Sequence, residues 1–161
     1  MIHLRPMTET EYRLFLERNI AEYADAKVRS GNWTPEEAPA RSREEHARLL
    51  PDGLATPDQH LLSILESANG PEVGSIWLAV ERHSGQSSGF IYDLFIFEGC
   101  RRKGIAGQAM IALESMAKEL GLASLSLHVF AHNTAARALY GRLGYMPTNL
   151  VLAKNLRAGL Q

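Results

Sequence analysis

The most informative part of this chain is a short cationic segment, Arg101-Arg102-Lys103-Gly104-Ile105-Ala106-Gly107-Gln108. It lies between a predicted strand over 90–97 and a predicted helix that begins near Ile105. Free backbone N–H groups and the positive end of a helix dipole stabilise bound phosphate at such a junction, and glycine lets the anion approach the backbone. The segment has neither the Gly-Lys-Ser/Thr of a nucleotide-hydrolase loop nor the three glycines of the dinucleotide fingerprint. By itself it predicts either an anion site or a glycine-rich turn with solvated arginines.

Downstream of this segment the pattern predicts a helix, a strand and a second helix. Apolar residues recur at helical spacing up to Leu120, and Gly121 supplies the C-terminal cap. Side chains then alternate over 122–130, as in a strand. Asn133 or Thr134 caps a helix that ends at Gly144, and residues 151–154 form a last short strand.

Upstream of the segment the pattern predicts two helices and a run of strands. The predicted elements are a strand over 2–5, a helix from the capping box of Thr8 and Glu11 to Val28, a more polar helix over 35–50, and strands over 61–65, 74–80 and 90–97. Short polar loops between the strands indicate an antiparallel meander, which leads into a β-α-β crossover. The chain is therefore predicted to be an α/β domain with a mixed, mostly antiparallel sheet and helices on both faces.

Composition limits the possible classes of protein. A chain of 161 residues is long enough for one domain and short for two, so we expect a single domain over 1–161. A formal net charge of -1 gives no reason to expect nucleic acid or an anionic membrane as a partner. The single cysteine, Cys100, excludes an internal disulfide, and the chain has no apparent signal peptide, so we expect a cytoplasmic protein. No metal is expected, because His46, His60 and His83 lack ligand-like spacing and read as surface or core histidines.

The motifs of the C-terminal third resemble the GNAT superfamily of acetyl-CoA-dependent N-acetyltransferases. The family pattern Gln/Arg-x-x-Gly-x-Gly/Ala is matched from Arg101 to Ala106, and Asn-x-x-Ala-x-x-Leu-Tyr-x-x-Leu-Gly-Phe/Tyr is matched from Asn133 to Tyr145. Leu127-His128-Val129-Phe130-Ala131-His132-Asn133 and the turn Leu50-Pro51-Asp52-Gly53-Leu54 also resemble a group of bacterial GNAT proteins with no assigned substrate. The resemblance implies a GNAT fold with a β-α-β core that binds coenzyme A.

The resemblance also implies how acetyl-CoA would be held. The main chain of Leu94, Phe95 and Ile96 would pair with the pantetheine arm, and Asn133 would contact the same arm. The cofactor contacts implied by the two motifs are Arg101, Arg102, Lys103, Gly104, Ile105, Ala106 and Gly107 at the pyrophosphate, together with Asn133, Ala136 and Tyr140.

Acetyl transfer to an amine needs a donor for the oxyanion and an acid for the departing thiolate. The resemblance implies a backbone N–H near Ile96 for the first role and Tyr140 for the second, unless Tyr140 is a core aromatic. A general base is a third requirement, unless ordered water serves. His128 is the first candidate because its unperturbed pKa is about 6.5, and Asp93, a carboxylate within an apolar strand, is the second. Either residue also has a purely structural interpretation, as a hydrogen-bonded sheet histidine or an ion-paired aspartate.

The acceptor is left open. The family builds its acceptor surface from the segments that correspond here to residues 22–54 and 145–150, which carry both charges, so a small amine and a peptide amine are both compatible. We expect a monomer or a homodimer. The rival interpretation is a non-catalytic module that binds or senses coenzyme A.

Overall fold

The computed structural model describes Met1–Arg157, which divide into two compact units, the first over Met1–His128 and the second beginning at Val129. The second unit contains α4 (Thr134–Arg142). The first unit contains β1 (His3–Pro6), α1 (Glu9–Arg29), α2 (Ala38–Leu49), β2 (Gln59–Leu65), β3 (Glu72–His83), β4 (Gln86–Ile96), α3 (Ile105–Glu119) and β5 (Leu125–Leu127).

The five strands form one sheet in the order β1-β2-β3-β4-β5. The first four strands pair antiparallel, and β5 pairs parallel to β4 after the crossover through α3. Ser84 and Gly85 form the tight turn between β3 and β4, with φ of 51° and 80°, as the twist of a two-residue hairpin requires. The structure confirms the predicted mixed, mostly antiparallel sheet with a β-α-β core.

The two faces of the sheet are covered by different helices. On one face Trp77 of β3 packs with residues of α1 and its neighbours, including Tyr12, Phe15 and Leu50. Because side chains alternate along a strand, Ile76 and Leu78 point to the opposite face. Both are fully buried, as are Met110 and Leu113 of α3, which packs against β1 and β4. The predicted placement of helices on both faces is confirmed for α1, α2 and α3.

Strand β4 contains one extra residue relative to β3. Trp77 lies opposite Asp93 and Leu78 lies opposite Ile91, so Tyr92 is the inserted residue of a β-bulge. A bulge bends the strand that carries it and interrupts pairing. The parallel ladder with β5 ends at the Ile91–Leu127 pair, immediately before this bulge.

Three sequence predictions need correction. The strand predicted over 122–130 is only Leu125–Leu127, because its ladder ends where β4 bends. The helix predicted over 35–50 begins at Ala38, after a turn in which the Glu37 N–H donates to Thr34 Oγ1. The final strand predicted over 151–154 is irregular among the described residues, since apolar residues form a strand only where a ladder partner is present. The Thr8–Glu11 capping box at the start of α1 is confirmed.

Candidate active site

The cationic segment forms a sharp turn between β4 and α3. Arg102 and Gly104 both have positive φ, 63° and 75°. A Cβ on Gly104 would meet nothing nearer than Gln108 Nε2 at 3.9 Å, so the backbone conformation rather than lack of space favours glycine. The first α-helical bond runs from the Gln108 N–H to the Gly104 carbonyl. The N–H groups of residues 105–107 therefore precede the helical ladder and have no carbonyl partner within α3.

The three cations of this turn have different surroundings. Arg101 donates from Nε to the Ile96 carbonyl at 2.9 Å, and its Cζ lies 5.2 Å from the centre of the Phe95 ring. Its position is therefore fixed by β4. Arg102 and Lys103 are exposed beside the N-terminus of α3. Two cations and three N–H groups at the positive end of a helix make a site that suits a diphosphate.

Strand β4 has an edge that β5 leaves open. β5 pairs only with Gly89–Ile91, whereas β4 continues to pair with β3 as far as Ile96. The Phe97 N–H donates to the Val73 carbonyl, which fixes the phase of the antiparallel pattern. By alternation, the N–H and C=O of Phe95 point to β3, and those of Leu94 and Ile96 point to the open edge. This edge leads directly into the turn at Arg101.

The bulge at Tyr92 turns both Tyr92 and Asp93 toward α1 and α2. The Tyr92 ring stacks on Trp77 with centroids 4.6 Å apart, and Trp77 lies on the α1 and α2 face of the sheet. Asp93, one residue further, contacts Arg18 of α1 on that same face. Consecutive residues of a regular strand would point to opposite faces. The extra residue therefore places a carboxylate beside the open edge of β4.

Asp93 lies in a half-buried cluster with three side chains of neighbouring elements. Arg18 Nη2 is 3.4 Å from Asp93 Oδ2 and 3.0 Å from Ser75 Oγ, and Arg18 Nη1 is 3.1 Å from Glu22 Oε2. Burial raises the pKa of Asp93 to about 6, although Arg18 opposes this shift. Asp93 is therefore ion-paired with Arg18, as in the structural alternative that the sequence left open for this aspartate. It also leaves a carboxyl group whose pKa is close to neutrality.

Sequence reasoning missed the α1 side of this cluster. Arg18, Asn19 and Glu22 follow Phe15 at helical spacing, so they lie on the stripe of α1 that faces the sheet. Charged and amide side chains at helical spacing from a buried aromatic residue were the available signal. His46 of α2, expected at the surface or in the core, is a core residue at 5% exposure.

The other predicted site residues lie in two places. His128 is exposed and directly follows β5, one residue beyond the Ile91–Leu127 pair. In the second unit Asn133 caps α4, because its Oδ1 accepts from the Ala136 N–H at 3.2 Å. Tyr140 of α4 is half-buried, with its ring centre 5.9 Å from that of Tyr145. Each unit thus carries part of the predicted set.

Two further features are absent from Met1–Arg157. No cluster of three or more His, Cys, Asp or Glu side chains in this range has the arrangement of a metal site. Among the helices of the same residues, none combines the length and apolar character needed to cross a bilayer.

Comparisons with known proteins identify the family to which the chain is similar. The sequence model of the acetyltransferase (GNAT) family matches residues 23–145. Two Bacillus subtilis (strain 168) proteins described as uncharacterized N-acetyltransferases are similar along nearly their whole length. YycN is 43% identical over 155 residues, which cover 96% of this chain and 99% of YycN. YdgE is 35% identical over 153 residues, which cover 95% of this chain and 97% of YdgE.

Two solved acetyltransferase structures are similar to this chain in fold. The crystal structure of Bacillus subtilis YycN superposes with a TM-score of 0.89 at 41% identity, covering 98% of this chain and 99% of YycN. A GCN5-related N-acetyltransferase from Ralstonia eutropha JMP134 shares the fold, with a TM-score of 0.68 at 21% identity over 96% of this chain and 99% of that protein. The family match covers more than half of the chain, and the predicted fold is confirmed. The chain therefore belongs to the GNAT family of acetyltransferases.

Proposed function

We propose that this GNAT protein transfers an acetyl group from acetyl-CoA to a primary amine, by direct attack in a ternary complex. The observation that carries the proposal is the continuity of two sets of backbone groups in the first unit. The open edge of β4 at Leu94 and Ile96 leads into the N-terminus of α3, with Arg102 and Lys103 beside it. An extended arm that ends in a diphosphate needs this pair of sites, one for strand-like pairing and one for an anion.

The proposed cofactor contacts follow from this geometry. The N–H groups of residues 105–107 bind the pyrophosphate, and Arg102 and Lys103 offset its charge. Leu94 and Ile96 pair with the pantetheine arm. The backbone groups of Phe95 are directed to β3, so this residue contributes only its ring. Arg101 acts indirectly, because its Nε holds the Ile96 carbonyl. Asn133 and Ala136 retain the contacts that the family motif implies, as part of one acetyltransferase domain over 1–161.

Asp93 is the base that the geometry favours. It lies beside the open edge of β4, and its pKa of about 6 lets the carboxylate accept a proton from an ammonium group near neutral pH. The amine then forms a C–N bond to the acetyl carbon as the carbon–sulfur bond breaks. An N–H of β4, at Leu94 or Ile96, donates to the carbonyl oxygen while it carries negative charge.

His128 and Tyr140 complete the proposed set. His128 remains a candidate base, since it follows the β5 residue that pairs with Ile91 next to the bulge. Tyr140 gives its phenolic proton to the departing thiolate, a role supported by its place in the family motif. The acceptor is a small amine or a peptide amine, and we propose a cytoplasmic location from the cysteine content.

Calorimetric titration with acetyl-CoA tests the proposal, with NADH and ATP as ligand controls. Micromolar affinity for acetyl-CoA alone supports it, and a panel of amines with thiol release as the readout follows. Binding with no transfer to any amine in the panel would favour the non-catalytic module. No binding by the folded protein would overturn the proposal.

A matched pair of variants tests the pyrophosphate site. Gly104→Glu places a carboxylate at the start of α3, and Gly121→Glu makes the same change beyond its end, at a similar φ of 77° and with open space around it. We expect Gly104→Glu to lose at least ~100-fold in affinity, because the new charge repels the diphosphate. Gly121→Glu should bind like the wild type. Equal affinity of the two folded variants would place the pyrophosphate elsewhere.

A further inference from the structure

A glycine of β3 lies opposite the end of β4 at which the outer edge is open. Gly74 is buried and pairs with Ile96 in the last residue pair of the β3–β4 ladder. A Cβ at Gly74 would lie 3.1 Å from Ile96 Cα and closer still to the Phe95 carbonyl oxygen. The second approach is closer than Cβ atoms make in folded proteins. The absence of a side chain therefore lets β4 lie nearer to β3 here than any other residue type would allow.

The peptide unit between Phe95 and Ile96 connects this close approach with the open edge. The C=O and N–H of one peptide unit in a strand point in opposite directions. The Phe95 carbonyl oxygen faces Gly74, so the Ile96 N–H of the same unit points to the open edge. Because the unit is planar, a group that displaces the oxygen also displaces the N–H. A side chain at position 74 would thus move the Ile96 N–H without touching it.

The strand that would yield to such a side chain is β4. On its other side Gly74 pairs with Ile64 of β2, a residue with no exposed surface. In the part of the chain that the structure describes, β4 has no neighbouring strand on its outer side beyond Ile91. A crowded contact shifts the less tightly packed of its two partners. The displacement would therefore move β4 outward, toward the place proposed for the pantetheine arm.

The next peptide unit of β4 is bonded at both ends. The Phe97 N–H donates to the Val73 carbonyl at 2.9 Å. Arg101 Nε donates to the Ile96 carbonyl, also at 2.9 Å. The first bond holds the end of β4 on β3, and the second holds it on the turn before α3. An outward shift of β4 would lengthen the first bond, so hydrogen exchange of the Phe97 N–H reports the shift in the free protein.

We propose that Gly74 is a positioning residue of the acetyl-transfer site, because the lack of a side chain there places the Ile96 N–H where it donates to the carbonyl oxygen of the bound acetyl group. The inference rests on the proposed function and narrows it, since it selects the N–H of Ile96 rather than that of Leu94 as the donor. A misplacement of about 1 Å in such a site costs about 10²-fold in rate. The position of the N–H is measurable in the free protein, so its failure would leave the acetyltransferase proposal standing.

Gly74→Ala and Gly89→Ala form a matched pair for NMR and hydrogen exchange. Gly89 is also a buried residue of the β3–β4 ladder, but the nearest atoms to a Cβ there are the ends of leucine side chains. We expect Gly74→Ala to shift the Ile96 amide signal and to speed exchange of the Phe97 N–H by at least ~10-fold relative to the rest of the sheet. Gly89→Ala should leave both unchanged. Wild-type signals for Ile96 and Phe97 in folded Gly74→Ala would overturn the proposal.

Calorimetry and steady-state rates separate positioning from folding. The pyrophosphate site at the start of α3 is intact in Gly74→Ala, so its affinity for acetyl-CoA should stay within ~5-fold of wild type while kcat falls by about 10²-fold per folded molecule. Gly89→Ala should match wild type in both quantities. If kcat of Gly74→Ala falls only in proportion to the folded fraction, Gly74 has no positioning role.

An NMR titration of the unmodified protein decides the matter if Gly74→Ala does not fold. The probe is a ketone analogue of acetyl-CoA, which keeps the carbonyl oxygen but cannot transfer the acetyl group. The Ile96 amide proton should move downfield as it donates to that oxygen. A bound complex in which this proton keeps its position, with or without a shift at Leu94, would refute the assignment.

Discussion

The guanidinium of Arg18 lies over the ring of Phe95, with Cζ 3.7 Å from the ring centre. This contact joins the middle of α1 to the part of β4 whose edge is open. The same guanidinium bonds Ser75 and pairs with Asp93 and Glu22. Arg18 therefore sets both the position of α1 at the proposed site and the charge next to Asp93.

We expect Arg18→Met to raise the pKa of Asp93 above about 6. The methionine keeps an apolar contact with Phe95 and removes the cation that stabilises the carboxylate. Once an acceptor is known, the acidic limb of kcat/KM should move to higher pH by about one unit. Arg13→Met, at an exposed position of the same helix, is the control. An unchanged acidic limb would mean that Asp93 is not the group that titrates in the reaction.

Asp93→Asn should make the protein more stable at pH 7. The pKa of Asp93 is about 6 in the folded protein and 3.8 for an unperturbed aspartate, so folding binds a proton and stability falls as pH rises from about 4 to 6. The amide avoids this cost, which is at most about 3 kcal/mol, because the pKa of about 6 already includes the opposing effect of Arg18. Urea unfolding at pH 7 and pH 3.5 measures the difference. The difference in free energy of unfolding between Asp93→Asn and wild type should shrink strongly at pH 3.5. If Asp93→Asn is less stable than wild type at pH 7, the ion pair with Arg18 stabilises the protein by more than burial of the carboxylate costs.

Glu11→Gln should destabilise the first unit at neutral pH by about 2–3 kcal/mol. The Glu11 carboxylate accepts from Arg5, from the Thr8 N–H and from Ser63, and the pKa of Glu11 is lowered to about 2, first of all by Arg5. Its stabilising effect is complete above 4.5, the pKa of an unperturbed glutamate, and disappears as pH falls toward 2. Wild type should therefore lose its advantage over the variant in acid. Glu9→Gln, in the same helical turn, serves as the control, and parallel pH curves for wild type and Glu11→Gln would contradict the assignment.

Tyr140→Phe should retain acetyl-CoA affinity and lower kcat by about 10²-fold or more, because only the phenolic proton is removed. Calorimetry and steady-state rates on one acceptor distinguish the two effects. Tyr145→Phe, whose ring lies beside Tyr140 in the second unit, is the matched control. If Tyr140→Phe turns over as fast as the control, Tyr140 is not the acid.

The strand order and the turn before α3 were predictable because each leaves a local signal. Short polar loops indicate antiparallel neighbours, and glycine before a helix indicates a turn with positive φ, as at Gly104. The bulge at Tyr92 leaves no such signal, since residues 90–97 read as a strand in either register. The contacts of Arg18 and Asn19 with β4 and α2 depend on elements far apart in sequence. The sequence showed only that Arg18 and Asn19 lie on the same face of their helix as Phe15.

The final strand over 151–154 was wrong for the same kind of reason. Its apolar residues, Val151, Leu152 and Ala153, suit a pleated surface, but composition does not supply a hydrogen-bonding neighbour. His128 was expected within a strand and instead follows one, because the strand it would extend ends at the bend in β4. The extra residue at position 92 thus accounts for the end of β5 at Leu127.

The extra residue in β4 divides the strand into two stretches that pair with β3 in different registers. From Gln86 to Ile91 the strand belongs to a hairpin whose turn, Ser84-Gly85, precedes the start of β4, whereas Leu94 and Ile96 lie near its end. From Asp93 onward the edge that β5 leaves open carries the backbone groups of Leu94 and Ile96, which we propose to bind the ligand. Because backbone groups alternate with a period of two, lengthening or shortening the hairpin tip by whole residue pairs would leave the same groups pointing outward at Leu94 and Ile96. The tip of this hairpin is therefore a natural site for attaching a label that leaves acetyl transfer undisturbed.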